Sequence, residues 1–141
     1  MKVIKAIFDT NLWISFLISN KLSFIDQLLY DGKLKLIFSD ELIDEFISVT
    51  KRPKFAKIFR ENDVASLLEL FSSYGEIVQV YTKVDLCRDK NDNFLLNLAI
   101  DSQADFLITG DHDLLDLKFV SNTKIITMNE FRDFFKQIYE S

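Results

Sequence analysis

Hydrophobic positions along the chain alternate between two kinds of segment: short apolar runs, and longer stretches where apolar residues recur at helical spacing. Val3 to Phe8 is a β-branched run that stops at Asp9 and predicts a buried strand. Helices are expected over 11–19 and 22–31, separated near Asn20, and a second strand over Leu34 to Phe38, entered through Asp31-Gly32. Ser39 is placed to cap a helix running to about Thr50. Pro53 breaks that helix and suits the start of a short one over 53–60. A helix from about Asn62 to Tyr74 is expected to end at Gly75 as its C′ residue, followed by a third strand, Glu76 to Tyr81. Asp92 is placed to cap a helix to about Ser102, Phe106 to Ile108 reads as a fourth strand, Lys124 to Thr127 as a fifth, and 129–139 as the last helix.

Strands that alternate with helices predict an α/β fold: a mostly parallel sheet of about five strands with helices on both faces. Ligands of such sheets bind beyond the carboxyl ends of the strands. The chain's 141 residues fit one domain spanning 1–141, and no linker, repeat or low-complexity tract divides them. Apolar residues make up 48% and charged residues 28%, as in a folded globular protein, and the fourteen Phe predict a bulky interior. No apolar run is long enough for a membrane span, and Asp9 comes too early for a signal peptide, so the expected compartment is the cytoplasm.

Scarcity narrows the chemistry. Gly32, Gly75 and Gly110 are the only glycines, too far apart for either glycine-rich phosphate loop. One Cys and one His exclude a disulfide framework, an all-Cys cage and a multi-histidine metal site. The acids are skewed instead, fifteen Asp against seven Glu. Asp9 follows the first strand, Asp111 and Asp113 follow the fourth, and Asp89 and Asp92 lie after the third. The helix after the second strand carries Asp40, Glu41, Asp44 and Glu45. All these connections put acid at one rim of the sheet.

Two carboxylates about 5 Å apart repel by roughly 3 kcal/mol at an effective dielectric of 20. A hard divalent cation such as Mg²⁺ or Mn²⁺ relieves such crowding, and can activate water and offset charge at a phosphate. Without a Cys nucleophile, His pair or phosphate loop, metal-assisted phosphodiester hydrolysis is the reaction these residues support. Each acid has a plainer reading: Asp9 and Asp92 as helix caps, Asp111 and Asp113 as turn residues beside Gly110, Glu45 as part of a solvated face no better placed than Asp44. Joint placement at one rim is what separate caps would not require.

Ile7-Phe8-Asp9-Thr10-Asn11, Ser39-Asp40-Glu41-Leu42 followed by Glu45, Arg88-Asp89-Lys90-Asn91-Asp92-Asn93-Phe94-Leu95, and Ile108-Thr109-Gly110-Asp111-His112-Asp113-Leu114 together resemble the four acidic blocks of PIN-domain ribonucleases. The branch resembled is that of the toxin components of toxin–antitoxin pairs. The resemblance runs from residue 3 to about residue 127. It implies a three-layer α/β/α sandwich and Mg²⁺- or Mn²⁺-dependent endonucleolytic cleavage of RNA that leaves a 5′-phosphate and a 3′-hydroxyl. By position it implies Asp9, Glu45, Asp92 and Asp111 as catalytic and metal-holding acids, with Asp113 a fifth metal ligand. It selects Glu45 over Asp44, and implies Asn11, Ser39 and Thr109 as polar neighbours that orient carboxylates and water. Lys90 stands where relatives often carry Pro, which leaves Asp89 and Asp92 competing for the metal, with the helix-start position favouring Asp92. The partners implied are RNA, a cognate antitoxin and a second copy in a homodimer.

A net charge of −5 is unusual for a protein that grips RNA. Lys51, Arg52, Lys54, Lys57 and Arg60 nonetheless gather just after the Glu45 helix, the first four being the candidate substrate-binding set, with Phe55 and Phe59 as stacking surfaces or core. A haloacid-dehalogenase-type phosphatase would need an acid at Asn11, and a phospho-receiver domain an early acid pair and a late Lys. The alternative from another class is a catalytically weak or inactive PIN-like module that binds RNA or protein; retention of every acid argues against it.

Overall fold

The structure, a computed structural model, describes residues 3–19, 23–56, 59 and 61–139. A six-stranded sheet has the order β3-β2-β1-β4-β6-β5. Its strands are β1 Ile4–Phe8, β2 Leu34–Phe38, β3 Gly75–Ile77, β4 Phe106–Ile108, β5 Phe119–Val120 and β6 Thr123–Ile126. Every pairing is parallel except the β5–β6 hairpin. The helices are α1 Thr10–Ser19, α2 Ser23–Tyr30, α3 Asp40–Thr50, α4 Pro53–Ala56, α5 Glu61–Tyr74, α6 Asn93–Ser102, α7 His112–Leu115 and α8 Met128–Tyr139. The result is the expected three-layer α/β/α sandwich. Ala6, Ile7 and Phe8 are all buried, as a central strand covered on both faces requires.

One core layer is aromatic. Phe8 of β1 meets Trp13 of α1 edge-on at 5.4 Å and Phe131 of α8 at 5.5 Å. Phe106 stands on the same sheet face, because Ala6 pairs with Phe106 and Phe8 with Ile108. It packs on Phe131 and Phe134. Phe24 of α2 closes the cluster against Phe131 and Phe135. These edge-to-face contacts account for much of the Phe content.

Several boundaries differ from the sequence pattern. Helix α5 ends at Tyr74, as expected, but Gly75 has no positive φ and is already the first residue of β3, paired with Leu36. The left-handed turn falls instead at Gly32, φ 72°, between α2 and β2. Helix α4 ends at Ala56; Lys57 and Arg60 lie outside the described residues. The one-turn helix α7 and the hairpin strand β5 carry too few residues to show a period.

β3 stops after three residues, far short of Tyr81, and the reason positions the site. Beyond Ile77 the chain runs extended, but helix side chains take its N–H groups. Asp101 accepts from the backbone of Tyr81 at 2.6 Å and Thr82 at 2.9 Å, Asn97 from Val84 at 2.8 Å, and Asn93 from Cys87 at 2.9 Å. Residues 93, 97 and 101 recur every fourth position, so one stripe of α6 substitutes for a neighbouring strand.

Phe131 is fully buried and touches four other aromatic rings. Phe131→Ala is expected to cost about 3–5 kcal/mol, read as a lower denaturant midpoint at unchanged m-value.

Candidate active site

The strand order reverses at β1: β2 and β3 extend the sheet to one side, β4 and β6 to the other. The crevice between the carboxyl ends of β1 and β4 is the topological switch point, where sheets of this kind bind ligands. Asp9 follows Phe8 there, and Thr109 follows Ile108, its register partner.

Asp9 is 6% exposed. Its Oδ1 accepts the Leu12 N–H at 2.9 Å, so it does cap α1. Its Oδ2 accepts the hydroxyl of the fully buried Thr109. That hydroxyl accepts the Asp111 N–H at 3.0 Å, so one Thr links the two acid-bearing strand ends. Burial drives the Asp9 carboxyl above its ordinary pKa although these two hydrogen bonds oppose it; the charges of Asp111 and Glu45 add to the rise.

Asp92 sits where a cap should be but makes no capping bond. The capping of the preceding 3₁₀ turn, Lys90–Asp92, falls to the exposed Asp89, whose Oδ1 accepts from Asn91 N–H at 3.0 Å. Asp92 turns toward Asp111 instead. Its buried Oδ2 has no hydrogen-bond partner among the described residues while both groups are ionised. Burial first, then a hydrogen bond to Asp111 and that group's charge, push Asp92 up to about 7. The structure thus brings Asp92, not Asp89, against Asp111.

Glu45 is half-buried and accepts the Thr10 hydroxyl at 2.6 Å; Asp44 is exposed. Thr10 is the residue the sequence reading missed. Its signal lay beside Asp9, at the first position of α1, where Asn11 was preferred. Asn11 is exposed, and Ser39 caps α3 by accepting from Leu42 N–H at 3.2 Å. Of the three expected orienting residues, Thr109 alone holds a carboxylate.

Asp113 turns elsewhere as well. Its N–H donates to Asp111 Oδ1 at 2.8 Å, and its Oδ1 pairs with Arg88 Nη2 at 2.9 Å. Lys51, Arg52 and Lys54 are exposed, with Lys54 Nζ 5.2 Å from the Phe55 ring centre. Phe59 is core and tilts against Phe55 at 5.8 Å. Because α3 runs back from the rim, Lys51 lies about 9 Å further along its axis than Glu45.

Among the described residues, no three Asp, Glu, His or Cys side chains form a complete cation cage. The closest set is the Asp92–Asp111 pair; the charge of Asp9 acts on Asp92, and that of Glu45 acts on Asp9. That set still suits a hard cation. Its donors are all oxygen, one of them buried and partnerless, and Mg²⁺ commonly uses one or two carboxylates and keeps several waters.

A sequence profile described as PIN domain matches residues 5–113. The chain belongs to the PIN-domain family. Over 118 residues it is 36% identical to an uncharacterized protein of Methanocaldococcus jannaschii, covering 82% of this chain and 76% of that protein. The PIN fold is also that of a chain in the crystal structure of VapBC2 from Rickettsia felis bound to a DNA fragment from their promoter. There the TM-score is 0.56 and the identity 17%, covering 88% of this chain and 98% of that one. Among the described residues, no helix of this PIN domain is long and apolar enough to cross a membrane.

Both carboxyls bind a proton more tightly folded than unfolded, and for Asp92 the folded chain holds the extra proton between about pH 4, the ordinary value, and about 7. Metal-free stability is therefore expected to be highest below that window and to fall as pH rises through it. Asp92→Asn should flatten the fall; thermal melts across pH 4–8 measure it.

Proposed function

We propose that this PIN domain, spanning 1–141, is a metal-dependent endoribonuclease and the toxin of a toxin–antitoxin pair, acting in the cytoplasm. The observation that carries the reading is the partnerless Asp92 oxygen facing Asp111 beside a buried Asp9, at the crevice where a parallel sheet binds its ligand. Asp92 and Asp111 would hold Mg²⁺ or Mn²⁺, with Asp9 and Glu45 adding charge. When bound, the cation activates a water and offsets negative charge at the scissile phosphate.

The chain's own groups set the geometry. Thr109 aligns Asp9 with Asp111, Thr10 holds Glu45 inward, and the α6 stripe delivers the Asp92 loop. Lys51, Arg52, Lys54 and Lys57 are assigned to phosphates flanking the cut. The antitoxin is supported by the fold's likeness to a chain of a VapBC2 complex, and a homodimer by the family resemblance.

The test is cleavage of a mixed RNA pool with Mn²⁺, with and without chelator. Asp9→Asn keeps the α1 cap but removes a charge, and turnover should fall by orders of magnitude while circular dichroism is unchanged. Asp44→Asn should cleave like wild type. Lys54→Ala should raise KM and reduce its salt dependence with kcat nearly unaltered. A folded Asp9→Asn protein with wild-type turnover would remove the nuclease reading.

A further inference from the structure

We propose that Arg88 is a positioning residue that sets the distance between Asp92 and Asp111 and keeps Asp113 out of the cation-binding set. This rests on the nuclease reading for its consequence but not for its geometry. Arg88 precedes Asp92 by four residues, on the loop that the α6 stripe delivers. Its backbone neighbours are fixed on both sides. Cys87 is buried with its N–H on Asn93, and Asp89 caps the 3₁₀ turn. From that anchored base one guanidinium nitrogen reaches both Asp113, at 2.9 Å, and Asp116.

Those two acids belong to α7 and its C-cap, and α7 is a single turn. A helix so short has little hold of its own. At its other end the Asp113 N–H donates to Asp111 Oδ1, so the place of α7 decides where the Asp111 carboxylate points. Arg88 is thus a strap: one end on the Asp92 loop, the other on the turn that aims Asp111. The charges of Asp111, Asp89 and Asp9 all act on Asp92, and like charges left to themselves would separate. Asp113, engaged with Arg88, is the strap's anchor rather than a fifth ligand.

An exposed ion pair adds little to overall stability, and Arg88 is 67% exposed, so the strap should show in geometry more than in melting temperature. Both contacts come from one nitrogen, so the ammonium of Lys, with three donors, can supply them in place of the guanidinium. In metal-free protein, Arg88→Ala should speed hydrogen exchange at the amides of Leu115 and Asp116 while leaving those of α6 unchanged. Calorimetric Mn²⁺ affinity should fall about tenfold, the loss expected when a group orienting a metal ligand is removed. Arg88→Lys should recover most of it. Asp113→Asn with Asp116→Asn should match Arg88→Ala, and adding Arg88→Ala to that pair should change nothing more. RNA cleavage should lose kcat with KM little altered. Unchanged exchange at α7, or Mn²⁺ affinity equal to wild type, would overturn the strap. A rise in KM alone would do so too and make Arg88 a phosphate contact. A wild-type chain that binds no Mn²⁺ would overturn the nuclease reading, while the exchange measurement would still decide the strap.

Discussion

The structure depends on one carboxylate held in the dry end of a parallel sheet. An ionised group taken out of water is costly unless donors surround it. Asp9 is given two, a backbone N–H from the first turn of α1 and the hydroxyl of Thr109 from the neighbouring strand end. The first donor fixes how α1 leaves β1. The second ties β1 to β4 beyond their last register pair, Phe8 with Ile108. Because the Thr109 hydroxyl also takes the Asp111 N–H, the same atom sets the start of the segment carrying the next acid. The aromatic layer beneath, where Phe8 meets Trp13 and Phe131, supplies the apolar burial that keeps this arrangement shut.

The second carboxylate is brought in by a different device. A fourth residue-for-residue strand pairing would have carried the chain along the sheet edge. Instead, after a last bond from the Val78 N–H to the Phe38 carbonyl, the segment leaves the sheet, and the N–H groups of Tyr81, Val84 and Cys87 go to Asp101, Asn97 and Asn93. The backbone groups stay satisfied, as buried ones must be. The path is redirected so that the Asp92 loop closes over the crevice rather than ending at its edge. Helix α6 therefore has two tasks on one stripe, guiding the strand-like segment and presenting Asp92 at its own first turn.

Most of the fold could be read from the chain. β2 matched its apolar run at both ends, and Ser39 capped α3 as its position implied. What escaped had a common cause: periodicity reports burial and not hydrogen-bond partners. Val78, Val80 and Val84 are strand-like residues in a segment that, past the Val78 N–H bond to the Phe38 carbonyl, pairs with no strand, so the third strand looked longer than it is. The signal that would have shortened it was the four-residue spacing of Asn93, Asn97 and Asp101, polar residues on a helix otherwise rich in buried Leu and Ala. At the site, strand-end placement pointed to Asp9 and Asp111. Periodicity could not choose Glu45 over Asp44, which the family resemblance did, and the helix-start position favoured Asp92 over Asp89; the Thr10 bond and the 3₁₀ turn leave no periodic trace. The rise of the two carboxyl pKa values was foreseeable from crowding, but its larger cause is burial, which no linear spacing reveals.

The charge distribution then has a physical logic under the proposed reading. An acidic crevice repels a polyanion, and the net charge of −5 offers no general attraction to offset that. Lys51, Arg52 and Lys54, the described basic residues of this stretch, are exposed, and under the proposed reading they supply the local attraction for RNA that the net charge does not. Were Lys51 or Lys54 to reach the crevice, an ammonium could satisfy the partnerless oxygen and remove the reason for a cation to bind.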